Sequence, residues 1–451
     1  MFRRKIYDAM KSWKEENSGR CALMIEGARR VGKSTIIEEF VRNEYASYII
    51  IRFEKAGEEV KELFRHMNDL DRFFLYLQQF YGVELQERKS AIVFDEVQLF
   101  PLARQSIKIL VEDGRYDYYE TGSLISIKEN IRDILIPSEE DTMYMYPMDF
   151  EEFLWARGDT MTMPFIRSSF EKLEPAGDEM HEFLMEKYRT YMIVGGMPQA
   201  VQSLIDANSF ASVERAKKLI LDLYTKDAGK LDGKTDTFKA SMIFRSLSAN
   251  LERHDKVFSP TIVREGSSMR DFRNSLYDLG ESMMVNLCYR ITEPSLDQGS
   301  HYDSDDLKMY MNDTGLLLTQ SFGSIGTDKD GVYKSLLTGD LNINEGMYFE
   351  NMVAQELRAS GHGLYFSKFT HKDSERLQEV DFVIERDMMP VAVEVKSGKK
   401  SGQHLSLDRF MDKYKDKVGK PFVIHSKDVR VADDAVYIPI YMASLLRYAC
   451  I

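Results

Sequence analysis

Cysteine is scarce and scattered: Cys21, Cys288 and Cys450 stand apart, with no C-x-x-C spacing among them. That pattern excludes a zinc ribbon and a disulfide framework, and it fits a reducing compartment, so a cytoplasmic location is expected. Long apolar runs are missing too. None approaches the roughly 20 residues that cross a bilayer, so no membrane role is expected. The opening residues Met1-Phe2-Arg3-Arg4-Lys5-Ile6 run into a charged amphipathic stretch, with neither an apolar h-region nor a small-residue cleavage site, which argues against a secretory leader. Excess positive charge is also absent. A formal net charge of −13 excludes a polycation that coats nucleic acid, leaving only a local basic patch for such contacts. What the chain does have is bulk. Its 451 residues, 43% hydrophobic and 12% aromatic, suffice for about three domains with their own cores.

The most informative stretch is Gly27-Ala28-Arg29-Arg30-Val31-Gly32-Lys33-Ser34-Thr35. It follows the apolar run Ala22-Leu23-Met24-Ile25 and precedes Ile36-Ile37-Glu38-Glu39-Phe40, which reads as a helix. Strand, glycine-rich turn and helix is the context in which G-x-x-x-x-G-K-[ST] cradles phosphate. Glycines let successive N–H groups point into one cavity, and the helix N-terminus adds partial positive charge. Lys33 is placed to reach the β- and γ-phosphates and Ser34 to hold Mg²⁺, so ATP and Mg²⁺ are the expected ligands.

Further along, Tyr48-Ile49-Ile50-Ile51-Arg52-Phe53 predicts a second strand, and Ala91-Ile92-Val93-Phe94-Asp95-Glu96 a buried one that ends in two carboxylates. The C-terminal edge of a parallel sheet is where ligands sit. There Asp95 is the expected Mg²⁺ carboxylate and Glu96 the base that polarises the attacking water. A helix is predicted over Pro101 to Glu112. Thr121 and Ser123 close the next strand, either bonding the attacking water or γ-phosphate or capping the following helix. Tyr144-Met145-Tyr146-Pro147-Met148 reads as one more strand.

With these motifs in view, the chain resembles the bacterial and archaeal AAA-type ATPases that carry a C-terminal domain related to restriction-endonuclease-like nucleases. The matching stretches are the phosphate loop, Phe94-Asp95-Glu96-Val97-Gln98, Thr121-Gly122-Ser123 and Tyr146-Pro147-Met148-Asp149-Phe150-Glu151-Glu152-Phe153-Leu154. Gly195-Gly196-Met197-Pro198, Asn312-Asp313-Thr314-Gly315-Leu316-Leu317 and Glu394-Val395-Lys396-Ser397 extend the match to nearly the whole chain. The resemblance implies an ATPase sheet in the order 5-1-4-3-2. One departure is visible: Ile136-Pro137-Ser138-Glu139-Glu140 replaces a Gly-Arg that many members carry. Arg132 and Arg104 are then candidates for an arginine finger by charge alone.

The expected organisation is α/β throughout: a P-loop ATPase core over 1–160, a helical lid or linker over 161–235, a winged-helix-like module over 236–329 and a nuclease-like domain over 330–451. Gly195-Gly196-Met197-Pro198 breaks the helical second region, as a hinge or as a plain turn. In the third, three helical stretches precede two strand-like runs, Met283 to Ile291 and Leu307 to Met311. Arg270 and Arg273 lie on the helix that would enter a DNA groove, unless the module only packs domains together.

In the last region Met347 to Leu357 predicts an amphipathic helix, and Val380 to Glu385 and Val391 to Lys396 two strands of a hairpin. Asp381 and Glu394 can project to one edge, with Lys396 on the face of Glu394. This resembles the PD-(D/E)XK nuclease core, with Val380 where a proline is usual. The resemblance implies catalytic roles for Glu350, Asp381, Glu394 and Lys396, with Asp381 and Glu394 as Mg²⁺ ligands. Lys399, Lys400, Arg409, Lys413, Lys415, Lys417 and Lys420 form a local basic run, for phosphate contacts or as a solvated helix face. His404 and His425 lack metal-ligand spacing. DNA is thus the expected partner of the C-terminal half, and self-association is left open. The rival expectation is a nucleotide-driven switch or scaffold whose nuclease-like domain is silent and binds a partner protein or DNA.

Overall fold

The computed structural model describes residues 1–123, 138–231, 238–322, 333, 335, 337, 345–372, 374–397 and 404–446. Arg132, Ile136, Pro137, Lys399, Lys400 and Cys450 lie outside the described residues. The chain divides into two compact units: Met1–Tyr146 with Glu281–Met283, and Pro147–Gly280 with Met284–Ile451.

In the first unit, β1 (Ala22–Glu26), β2 (Ser47–Arg52), β3 (Ser90–Asp95), β4 (Asp117–Gly122) and β5 (Glu140–Tyr144) form one sheet, order β2-β3-β4-β1-β5. Every pairing is parallel. Counted from the other edge this is the expected 5-1-4-3-2. Parallel strands covered on both faces read as continuous apolar runs, and β1 and β3 are buried along their whole length.

Two boundaries differ from expectation. The last strand ends at Tyr144, where Tyr144 to Met148 had been expected to form it. Met145 N still donates to Glu26 O at 2.7 Å, and then Pro147, which has no N–H, ends the ladder. The helix expected over Pro101 to Glu112 is two, Pro101–Gln105 and Ile107–Asp113. They divide at Ser106, whose Oγ donates to Leu102 O at 2.9 Å and competes with the regular helical ladder.

The second unit opens with the helix Phe150–Ala156, started by a reciprocal capping box between Asp149 and Glu152. Helices Asp178–Val194 and Pro198–Ala207 meet at Gly195-Gly196, which is a tightly packed joint. Gly195 has φ +80°, and a Cβ there would lie 2.2 Å from Asp313 Oδ1. Asp313, fully buried, accepts from Gly196 N at 2.5 Å and from Leu316 N at 2.9 Å. This contact unites two of the sequence motifs that are far apart in the chain.

The expected two-stranded ribbon exists as β6 (Val285–Ile291) and β7 (Tyr302–Met311), antiparallel, but it is not a free wing. β6 also pairs in parallel with β8 (Tyr365–His371), and β9 (Ser374–Val380) completes a sheet ordered β7-β6-β8-β9. A second sheet, β10-β11-β12-β14-β13, contains β10 (Phe382–Arg386), β11 (Met389–Lys396), β12 (Phe422–His425), β13 (Arg430–Val431) and β14 (Val436–Pro439). β10 and β11 form a hairpin whose turn residues Asp387 and Met388 have φ of +51° and +59°, as a two-residue primed turn demands. Asp381 is the corner residue between β9 and β10, where the chain leaves one sheet for the other. Among the described residues, no helix is long and apolar enough to cross a membrane.

Candidate functional site

The phosphate loop leaves β1 and enters the helix Lys33–Glu44. Gly27 is demanded by packing, since a Cβ there would lie 2.3 Å from Met145 O. Gly32, at φ +106°, is demanded by backbone geometry. Ala28, Val31 and Lys33 of the loop are buried, Arg29 is half-buried and Thr35 exposed, while Arg30 takes the left-handed region at φ +67°. The Lys33 ammonium folds onto its own loop, donating to Gly27 O at 2.8 Å and Ala28 O at 3.0 Å. Burial pulls Lys33 down to about 8, opposed mainly by the nearby Glu96 carboxylate.

Ser34 Oγ donates to Asp95 Oδ1 at 2.6 Å, and Thr121 Oγ1 donates to the same oxygen at 2.7 Å. Thr121 Oγ1 in turn accepts from Glu96 N at 2.9 Å. Thr121 therefore fixes the two acids against each other. Ser123 is buried one residue beyond β4. Glu96 sits at φ +56°, a conformation costly for a non-glycine residue and typical of positions held by function. Its carboxylate accepts from the side-chain amide of Gln98. Arg52 Nε approaches Asp95 Oδ2 at 3.9 Å from the end of β2. A hydroxyl and a carboxylate brought together supply hard oxygen donors, which suits Mg²⁺.

Two arginines carry lessons. Arg104, an arginine-finger candidate by charge, is 4% exposed and forms a bidentate pair with Glu140, at 3.0 and 2.6 Å. A guanidinium locked inside its own subunit does not reach another site, so that expectation is corrected. Arg4 was not singled out by sequence. It donates to Val31 O at 2.8 Å and to Tyr146 O at 2.6 Å, tying the loop to the chain that leaves β5. An arginine outside any motif gives no signal in the sequence.

In the second unit, Glu350 lies on the helix Glu345–Ala359 and is 1% exposed. Its Oε1 accepts from Lys308 Nζ at 3.0 Å and Tyr310 OH at 2.6 Å, and its Oε2 pairs with Lys256. Burial opposes ionisation of Glu350, but Lys256 and Lys308 hold it below the ordinary carboxylate range. Lys308, fully buried on β7, also reaches Glu379 Oε1 at 2.7 Å and Asp381 Oδ1 at 3.7 Å. Asp381 Oδ2 accepts from Val395 N at 2.8 Å, stapling the sheet corner to β11. Glu394 Oε1 accepts from Lys396 Nζ at 2.6 Å. Burial and Asp381 push Glu394 up to about 8, with Lys396 opposing.

The fold thus gathers the expected Glu350, Asp381, Glu394 and Lys396, but interleaves them with Lys256 and Lys308, which no motif announced. Among the described residues, three potential metal ligands come within 4.8 Å of one another only at His404, Asp408 and Asp434. There the ring nitrogens of His404 already bond Asp408 Oδ1 at 2.7 Å and Tyr437 OH at 2.5 Å. Four of the expected DNA-facing charges have partners within the chain. Arg273 pairs with Asp305 of β7 at 2.5 Å, and Lys417 with Glu293 at 3.2 Å. Lys413 and Lys420 donate to Thr370 O and Ala432 O, at 3.4 and 2.7 Å.

Residues 19–154 match the family described as AAA domain. Residues 185–325 and 345–443 match two families described as domains of unknown function, DUF8612 and DUF4143. No curated protein matches the chain. Among solved structures it is similar to a Walker-type ATPase of Pyrococcus abyssi, at 14% identity over 71% of this chain and 96% of that one, TM-score 0.42. It is also similar to the ORC2 protein of Aeropyrum pernix, at 11% identity over 74% and 92%, TM-score 0.36. For DnaA of Aquifex aeolicus the identity is 12% over 60% and 82%, TM-score 0.27. The AAA match falls on the same residues that build the five-stranded parallel sheet and its phosphate loop, and this part of the chain is an AAA-type P-loop domain.

Proposed function

We propose that the protein binds ATP at the phosphate loop and hydrolyses it with Mg²⁺, and that its nucleotide state controls the second unit. One observation carries this reading: Ser34, Asp95, Thr121 and Glu96 form a single hydrogen-bonded series beside Lys33. A chance surface turn has no reason to be wired to the end of β3, two strands away in the sheet. Ser34 and Asp95 would hold the metal, which neutralises charge on the phosphates when bound.

In this scheme Lys33 exchanges the Gly27 and Ala28 carbonyls for phosphate oxygens. Glu96 accepts a proton from water as the water oxygen bonds the γ-phosphorus and the bond to the β–γ bridging oxygen breaks, releasing ADP. Gln98 restrains Glu96 until that geometry forms. Arg4 offers a route outward, because it grips both the loop and Tyr146, where the first unit ends.

For the second unit, the reading as an arm that is bound to nucleic acid or to a partner protein without cutting is favoured over nuclease action. The observation behind this choice is Lys308, buried among Glu350, Glu379 and Asp381. An ATPase assay with and without single- and double-stranded DNA, followed by gel analysis of the same DNA, tests both halves. Turnover that DNA alters, with the DNA intact, is the expected result. Absence of turnover in folded protein would overturn the first half, and Mg²⁺-dependent cleavage lost in Asp381→Ala the second.

A further inference from the structure

The acidic cluster of the second unit has the residue types of a metal site but a different charge balance. Glu350, Glu379, Asp381 and Glu394 are matched by Lys256, Lys308, Lys368 and Lys396. Three of those ammonium groups sit at the rim, with side chains 21%, 12% and 31% exposed for Lys256, Lys368 and Lys396. Lys308 does not. Its side chain is wholly buried, and its one Nζ lies within 3.7 Å of oxygens from three carboxylates, on the helix Glu345–Ala359, on β9 and at the corner that follows β9.

The backbone explains how it gets there. Lys308 lies opposite Cys288 in the β6–β7 ribbon, and Val257 bridges to it on the other side, with Phe258 N donating to Leu307 O at 2.9 Å. That bridge also places Lys256 at Glu350. Ribbon, loop and the helix Glu345–Ala359 therefore converge on one buried carboxylate.

We propose that the Lys308 ammonium is the built-in cation of this cluster, so that the site holds its carboxylates together without a divalent metal. This rests on the reading of the second unit as a non-cutting arm and adds the reason for it. A divalent ion seeking Glu350 and Asp381 has to displace a buried ammonium that lies against both, along with the Tyr310 hydroxyl. The displaced ammonium would then sit uncompensated in the interior, which is unfavourable. As they stand, Glu350 and Asp381 do not fit Mg²⁺; Glu394 Oε2, buried without a hydrogen-bond partner, is not closed off in this way.

The test uses the nucleotide-free full chain and Mn²⁺ alone, followed by electron paramagnetic resonance and by thermal unfolding. Wild type and Asp381→Asn should bind Mn²⁺ equally weakly and show the same melting temperature with and without it. Lys308→Met should create a site, with Mn²⁺ bound at least tenfold more tightly and melting raised by about 5 °C at millimolar Mn²⁺. Combining Lys308→Met with Asp381→Asn should abolish that gain. Tight Mn²⁺ binding by wild type that Asp381→Asn removes would overturn the proposal. So would a folded Lys308→Met that gains nothing. If Lys308→Met does not fold, the wild-type and Asp381→Asn pair decides alone. The arm itself fails separately, by cutting DNA.

Discussion

The two charged centres of this chain are made of the same residue types and are assembled in opposite ways. At the phosphate loop the lysine is kept off the acids: Lys33 donates to backbone carbonyls, while Asp95 accepts from the hydroxyls of Ser34 and Thr121. Neutral hydroxyls hold Asp95 Oδ1, and Arg52 comes no nearer than 3.9 Å to Oδ2, so the carboxylate's charge remains for a metal and Lys33's for a phosphate. In the second unit lysines are placed directly on the acids, and Glu350 has no oxygen without an ammonium partner. A centre arranged the first way is poised for ligands. Glu350, arranged the second way, is satisfied from within.

The sharpest way to break this contrast is at Glu96. Glu96→Gln should lower ATP turnover by about 100- to 10,000-fold while nucleotide binding is kept. Turnover close to wild type would remove Glu96 from the role of base. On the other side, Lys308→Met without added metal should cost about 3–5 kcal/mol of stability, because it strands buried carboxylates. Thermal or denaturant unfolding measures that loss, and an unchanged midpoint would show that the lysine is not what balances them.

Two smaller effects sharpen the comparison. Arg4→Ala should cost about 1.5–3 kcal/mol, the range for hydrogen bonds from a charged group, and should loosen ATP binding because Val31 O and Tyr146 O lose their donor. An equal affinity for ATP would confine Arg4 to stability. The pH dependence follows from Lys33, whose ammonium is brought down to about 8 by burial in the free protein. Phosphate oxygens favour the charged form, so ATP binding raises that value and takes up a proton when pH exceeds 8. Affinity should therefore be level below pH 8 and fall by up to about tenfold per unit above it. Calorimetric titration at pH 7, 8 and 9 checks this, and a flat profile would contradict it.

What could be read in advance follows the locality of the signal. Gly27 to Thr35 and Phe94-Asp95-Glu96 announce themselves because each function is carried by neighbours in sequence, on a turn or at a strand end. The sheet order was legible through the family resemblance, since no local pattern states which strand lies beside which. Thr121 was legible as a polar strand end and not as the donor that joins Asp95 to Glu96, because that depends on the β3–β4 register. Lys308 and Lys256 were invisible: each lies at least 42 residues from Glu350, in stretches that read as an ordinary strand and loop. Asp381 was expected as a ligand, and its contact with Val395 N shows a second duty that only a sheet corner reveals. The expected free wing became part of a larger sheet because β8, far along the chain, found the edge of β6.

The most direct test of the central claim is metal stoichiometry with nucleotide present. Mn²⁺ titrated into the full chain with a non-hydrolysable ATP analogue should occupy a single tight site per chain, lost in Asp95→Asn and untouched by Asp381→Asn. Metal that binds tightly without nucleotide, or that survives Asp95→Asn and disappears with Asp381→Asn, would show that the two centres have been assigned the wrong way round.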